Sequence, residues 1–238
     1  MRKNTLWFYL YVTWEMILSI KGLLSLHVLR LQETRDEGEN IRTFIFAQPK
    51  KLQFRAGQYG LWCFPRMVWG KPYRLFTIAA SPTENTLQIS TRIGNSDFKQ
   101  KLNKLPLGTR IFMFGPIGQF TLGKKPPKAA VLIAGGIGAT PMRAIAKYVH
   151  EAGVQVDLTL IHSADGYYLY REEFEAYVPH AYFVTKETFG DTLTRVAHAA
   201  DEQAVFYLSG PPAFVVFAER ELKKLGKKRI KKDGFLGY

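Results

Sequence analysis

The residues able to do chemistry in this 238-residue chain sit on two glycine-bearing turns and one arginine-led strand. The longest such run is Val131-Leu132-Ile133-Ala134-Gly135-Gly136-Ile137-Gly138-Ala139-Thr140-Pro141, where an apolar strand stops at a glycine pair and a Thr-Pro signal opens a helix. Glycines let backbone amides come close to a ligand, and the new helix aims its unpaired N–H groups and positive dipole end at the same spot. Such a turn is suited to holding a phosphate or pyrophosphate, with plain strand–helix packing as the alternative. Ser209-Gly210-Pro211-Pro212 ends a second strand in the same way. Arg74-Leu75-Phe76-Thr77 has a different chemistry. Strand alternation places Arg74 and Phe76 on one face and Leu75 and Thr77 on the other. Arginine offers a planar fork to a phosphate, an aromatic can cover a flat ring, and a hydroxyl can bond a ring nitrogen or carbonyl. Gly94-Asn95-Ser96 then stands at the start of a short helix, a second amide-rich anion site, and Gly115-Pro116-Ile117-Gly118-Gln119-Phe120 makes a rigid turn.

These residues need a frame, and the chain supplies two with different periods. Between residues 26 and 124, short strands alternate with turn residues: His27–Glu33, Ile41–Ala47, Tyr59–Phe64, Arg74–Ala79, Thr86–Thr91 and Arg110–Phe114. Asp36-Glu37-Gly38-Glu39-Asn40 marks one of the turns. Six short strands in under about a hundred residues predict a small antiparallel barrel. One helix, Phe98–Leu105, interrupts it behind a Ser96-Asp97 cap, and Pro106 and Gly108 stop it. After Lys124-Lys125-Pro126-Pro127, strands and helices alternate to the end of the chain, over residues 125–238. The order is strand Ala129–Ala134, helix Thr140–Glu151, strand Val156–Ile161, helix Arg171–Tyr177, strand Ala181–Thr185, helix Thr192–Ala199, strand Ala204–Leu208, helix Pro212–Leu225 and strand Arg229–Phe235. That alternation predicts a doubly wound parallel sheet with its ligand crevice at the carboxyl ends of the strands, where both glycine turns converge.

Composition narrows the chemistry. The single cysteine, Cys63, excludes an intrachain disulfide and an all-cysteine iron–sulfur site within this chain, and its apolar neighbours predict a buried structural thiol. The five histidines are scattered and no metal-ligand spacing occurs. Thirty-three Lys and Arg against 20 Asp and Glu give a net charge of +13, crowded at Lys223, Lys224, Lys227, Lys228, Arg229, Lys231 and Lys232. Such a field attracts an acidic protein or an anionic membrane surface. No groove-reading or RNA-binding motif accompanies it, so nucleic acid is not expected. Residues 1–25 carry an apolar, aromatic leader, Leu6–Ile20, with Glu15 inside it and Arg2 and Lys3 before it. About 22 Å of helix is short of a bilayer's hydrocarbon core. No small-residue cleavage site follows it. Three readings stay open: an interfacial membrane anchor, a helix packed on protein, and a span. The expected location is the cytoplasm, with this leader as a candidate contact to the cytoplasmic face of a membrane.

Taken in order, the motifs resemble the ferredoxin–NADP reductase-like flavoprotein reductases. Phe54-Arg55-Ala56-Gly57-Gln58-Tyr59 is similar to the family's Gly-Gln-Tyr strand start. Arg74-Leu75-Phe76-Thr77 resembles its flavin motif, and Gly115-Pro116-Ile117-Gly118 its barrel-closing turn. Gly135-Gly136-Ile137-Gly138-Ala139-Thr140-Pro141 resembles the nicotinamide loop, and Ser209-Gly210-Pro211-Pro212 the Cys-Gly-Pro turn. The resemblance runs from about Leu26 to Tyr238. It implies an FAD-binding antiparallel barrel followed by an NAD(P)-binding α/β domain. Arg74 would hold the flavin phosphate, Phe76 would lie against the ring or ribityl chain, and Thr77 would stand near the N5/O4 edge. Leu75 and Arg92 belong to the same implied flavin set. Gly94, Asn95 and Ser96 would hold the pyrophosphate, which favours FAD over FMN. Gly135, Gly136, Gly138, Thr140 and Pro141 would take the nicotinamide coenzyme's pyrophosphate, with Ser163, Gly210 and Pro211 beside it. Hydride transfer needs the two reacting atoms about 3–3.5 Å apart, so the domains must present their rings face to face.

Two departures matter. Ser209 stands where many members have cysteine, and two C-terminal aromatics, Phe235 and Tyr238, compete to shield the flavin. Thr77, Ser209 and Tyr238 are the implied catalytic set. Behind the second strand of the α/β half, His162-Ser163-Ala164-Asp165 offers a carboxylate rather than a cation, which favours NADH over NADPH. The implied activity is an NAD(P)H oxidoreductase passing single electrons to a separate acceptor, such as an acidic ferredoxin or flavodoxin or a membrane redox partner. Reduction of ferric complexes or free flavin is the runner-up. A non-enzymatic membrane adaptor retaining the fold is the reading from another class.

Overall fold

The computed structural model describes residues 25–64 and 72–234. Its first half is a six-stranded sheet in the order β4-β3-β6-β1-β2-β5, formed by β1 (Leu26–Gly38), β2 (Ile41–Ala47), β3 (Tyr59–Cys63), β4 (Tyr73–Thr77), β5 (Thr86–Arg92) and β6 (Arg110–Ile117). Every ladder between these strands is antiparallel. The sheet curls until its two edges approach, and just past β4 the Ala79 amide donates to the Gln88 carbonyl on β5 at 2.7 Å. Alternation drives the curl, because one face of each strand turns Leu29, Leu31, Phe44, Phe46, Trp62, Ile89, Ile111 and Met113 into a shared core. Helix α1 (Asp97–Asn103) plugs that core with Phe98 and Leu102.

The second half is a five-stranded parallel sheet in the order β11-β10-β7-β8-β9. Its strands are β7 (Ala129–Gly135), β8 (Asp157–Ser163), β9 (His180–Val184), β10 (Val205–Gly210) and β11 (Ile230–Gly234). Between them run α2 (Ala139–Glu151), α3 (Arg171–Tyr177), α4 (Lys186–Ala199) and α5 (Pro212–Lys224). Strand β7 is central, with β8 and β9 on one side and β10 and β11 on the other, so the order reverses between β7 and β10. One face packs on α4 and α5 through Phe189, Leu193, Val215 and Leu222. The other forms a core that also takes in Ile41, Ala56, Ala79, Phe120 and Leu122 from the first half. The hydrophobic interior is therefore continuous across the junction.

Several elements differ in extent from the sequence expectation. β1 runs on through Thr34, Arg35 and Asp36, paired with Phe44, Thr43 and Arg42, so the turn shrinks to Glu39-Asn40, both with positive φ. α4 begins at Lys186, not Thr192, because Gly190 sits inside the helix without breaking it. β6 extends to Ile117. Among the described residues no helix is long and apolar enough to cross a membrane, and no cluster of three or more His, Cys, Asp or Glu could hold a metal. The leader and the C-terminal Phe235 and Tyr238 lie outside the described residues.

Candidate functional site

At the gap between the barrel's edges, Arg74 on β4 reaches across to α1. Its Nη2 donates to Ser96 Oγ at 2.9 Å, its Nη1 donates to the Tyr73 carbonyl at 2.8 Å, and its buried Nε has no partner. Ser96 is the residue before α1, yet its hydroxyl makes no cap bond. The sequence resemblance assigns Arg74 and Ser96 separately to the flavin's phosphates; the structure puts the two in direct contact. Arg92 is not brought there; its Nη1 is spent on the Glu39 carbonyl at 2.6 Å. Asn95 and Gly94 lie exposed next to Ser96, and the Gly94 carbonyl accepts from Gln100.

Phe76 departs from its expected role as a ring cover. It is 8% exposed and belongs to the barrel core, its ring 5.8 Å from that of Phe98. The inward face of β4 is apolar at that level, so burial recruits the aromatic. Leu75 points the other way and is exposed. Thr77 is buried with an unpartnered Oγ1.

The crevice of the second half is built by close backbone approach. A Cβ on Gly138 would stand 2.2 Å from the Ser209 carbonyl oxygen, and one on Gly135 would meet the Phe214 ring at 2.7 Å. Gly210 packs against Gly135, where a Cβ would come within 3.1 Å of the Gly135 backbone. The two glycine turns therefore do converge, at the point where the sheet order reverses. Gly136 is different: its φ is +51° and a Cβ would meet nothing within 4 Å. Of Gly135, Gly136, Gly138 and Gly210, this one alone leaves open space. Thr140 and Pro141 are buried in the first turn of α2, and the Thr140 hydroxyl donates to the Ile137 carbonyl at 3.2 Å. Ser163 ends β8 in register with Gly135, while Pro211 is exposed before α5.

Between the two cradles, Ser209 and Thr77 of the implied catalytic set are joined by Asp233, which the sequence did not single out. Ser209, fully buried with an unpartnered Oγ, is in register with Asp233 on β11. Burial pushes the Asp233 carboxyl up to about 6, and its Oδ2 has no partner. Burial also raises the Tyr59 phenol, with the Asp233 charge adding to the shift. Tyr59 in turn faces Thr77 across the β3–β4 ladder. Thr77, Tyr59, Asp233 and Ser209 thus link the barrel to the parallel sheet through neighbouring groups. On β8, burial drives the His162 imidazole down to about 4, leaving it neutral, with Nε2 3.1 Å from the Gly136 carbonyl and Nδ1 unpartnered.

A buried arginine fixes the two halves together. The Arg143 guanidinium donates to the Ala79 carbonyl at 2.8 Å, to Glu84 at 2.9 and 3.1 Å, and to Glu173 at 2.9 Å. Burial works against its charge, and the hydrogen bonds and charges of both glutamates more than offset that, raising its pKa. Tyr170 stands beneath it, its hydroxyl bonded to Ser90 and Gln88 on β5. Nothing in local sequence marks Arg143, because an arginine on an amphipathic helix ordinarily faces water.

No protein-family model matches this chain. Among curated proteins it is 30% identical to the stachydrine N-demethylase reductase subunit of Rhizobium meliloti, over 54% of this chain and 37% of that protein. It is 29% identical to ferredoxin–NADP reductase B of Sorangium cellulosum, over 62% of each. It spans 37–39% of the length of the first relatives it matches. A ferredoxin NADP+ reductase from Neisseria gonorrhoeae with bound FAD and NADP superimposes with a TM-score of 0.74 at 17% identity, covering 88% of this chain and 98% of that one. The cytochrome b5 reductase domain of Ulva prolifera nitrate reductase gives 0.73 at 20% identity, over 89% and 98%. The relatives and structural neighbours of this chain are ferredoxin–NADP reductase-like flavoprotein reductases, and it carries their two-domain fold.

Proposed function

We propose that the chain is an FAD-dependent NAD(P)H oxidoreductase that hands single electrons to a separate acceptor, with residues 26–124 holding the flavin and residues 125–238 the coenzyme. The observation that carries it is the set of buried polar atoms without partners, Arg74 Nε, Thr77 Oγ1 and Ser209 Oγ, on the elements that flank the junction of the two sheets. Leaving such groups unsatisfied costs about 1–3 kcal/mol each, so they fit a polar ligand between the halves. A bound flavin would supply two-electron acceptance from a reduced nicotinamide and one-electron release. Arg74 and Ser96 would hold its phosphates. Thr77 and Ser209 would orient the two rings, and the open space at Gly136 would admit the coenzyme's pyrophosphate. Phe235 and Tyr238 remain the candidates to cover the ring from the C-terminal side. The buried junction keeps water away from the transfer.

NADH is favoured over NADPH by Asp165, two residues past β8, which suits a free ribose hydroxyl better than a phosphate. The acceptor fits a separate redox protein, as the reductase-subunit names of the curated relatives indicate for those proteins. An acidic carrier suits the net charge of +13. The visible spectrum of purified protein tests the reading. A flavin spectrum that bleaches on anaerobic NADH, faster than on NADPH, is expected. Folded protein that stays colourless after added FAD would sink it and promote the adaptor.

A further inference from the structure

The outer face of the barrel, opposite its core, carries two cross-strand rows with no charged side chain. One row is Leu26, Phe114, Leu61 and Leu75, and the next is Val28, Phe112, Cys63 and Tyr73. Directly paired residues share a face, so the rows form one patch across β1, β6, β3 and β4. Leu26 and Val28 are each 50% exposed, Tyr73 49% and Leu75 58%, while the four residues between them are half-buried. Trp62 and Met113 point from the same strands to the other side, into the core. Arg74 and Phe76 also point away from the patch, whereas the Tyr59–Thr77 pair follows Leu61 and Leu75 on the same face, so the proposed flavin site borders the patch at one end.

We propose that this face lies on an anionic lipid bilayer. Two observations select that occupant. The row following Val28 and Phe112 on the same face is Arg30 opposite Arg110, both exposed, which gives the patch a cationic rim. Aliphatic and aromatic groups bordered by arginine match a headgroup boundary, where apolar side chains enter the acyl edge and guanidinium groups meet lipid phosphate. The apolar leader Leu6–Ile20 joins the chain at this patch, because the Ser25 carbonyl accepts from the Gly115 amide on β6, beside Leu26.

The test uses the full chain with a single environment-sensitive label, placed by Val28→Cys in a Cys63→Ser background. A second label at Leu26→Cys repeats the reading, and Glu202→Cys, exposed at the far end of the parallel sheet, is the control. Vesicles of phosphatidylcholine and phosphatidylglycerol are offered with plain or brominated acyl chains. The label at 28 should shift to the blue on vesicle addition and lose about half its emission to the brominated lipid, with the label at 202 unmoved. Emission already blue in buffer and unchanged by vesicles would mean that residues 1–24 or a second copy covers the face, and overturns the proposal. A water-like label at both positions in the presence of vesicles overturns it too. Neither result would touch the flavin reading, which the visible spectrum decides separately.

Discussion

Two buried ionisable groups pull stability in opposite directions over one pH window. Burial raises the Asp233 carboxyl from its ordinary 3.8 to about 6, so the fold holds that proton more tightly than the unfolded chain does. The stability this represents is complete below the ordinary value and is lost as pH rises through about 6, a change of up to about 3 kcal/mol. Burial lowers His162 from 6.5 to about 4, so its contribution is complete above the ordinary value and is lost as pH falls toward 4. The two slopes offset each other. Asp233→Asn removes one of them, and urea unfolding should show the variant gaining on the natural chain at pH 7.5 but not at pH 4; parallel curves would refute the assignment. At Arg74, replacement by alanine removes a charge-assisted bond and should weaken FAD retention about tenfold or more with an unchanged circular dichroism spectrum. Flavin occupancy equal to that of the natural chain would count against the phosphate contact. Arg74 and Ser96 were legible from spacing, since both belong to short local motifs. Asp233 and Arg143 were not, because their burial comes from elements distant in sequence packing over them.

At the scale of elements, the glycines of the crevice separate into two kinds. Gly138 is required by space, with a Cβ driven into the Ser209 carbonyl at 2.2 Å, whereas Gly136 is required by its φ of +51° alone. Gly136→Ala should therefore cost about 1–2 kcal/mol and Gly138→Ala more, since strand β10 must shift before α2 can keep its place. Thermal unfolding of the two variants makes the comparison, and equal losses would contradict it. The same turn shows what sequence pattern can and cannot carry. Strand–glycine–helix order announced the crevice, because turn chemistry is local. It could not announce the first half of α4, where Gly190 reads as a breaker although Phe189, Leu193 and Val196 keep a helical spacing into the core. Nor could it extend β1 to Gly38, since Thr34-Arg35-Asp36 lies on a half-exposed arm whose charges look like a turn.

For the molecule as a whole, charge is distributed unevenly with respect to the crevice. Helix α5 leaves Gly210 and ends at Lys223 and Lys224, and Lys227, Lys228 and Arg229 precede β11, which pairs alongside β10 from its beginning. These cations stand at the far end of a six-residue strand, about 20 Å from the crevice and beyond a Debye length at physiological salt. Lys227→Glu with Lys228→Glu should accordingly change electron delivery to an acidic carrier by less than about twofold at that ionic strength. A larger slowing, with dye reduction unaffected, would move the docking surface to that end. Arg143 acts across the whole junction, and Arg143→Ala strands Glu84 and Glu173, an expected loss of about 3–5 kcal/mol in denaturant unfolding. A loss below about 1 kcal/mol would mean that solvent already screens the pair. The apolar interior running from Ile41 and Phe120 into Leu132 and Met142 has its own consequence. Neither half can melt without exposing the other's surface, so the chain should denature in one cooperative step, and cutting it between residues 123 and 128 should yield two insoluble fragments in place of two working modules.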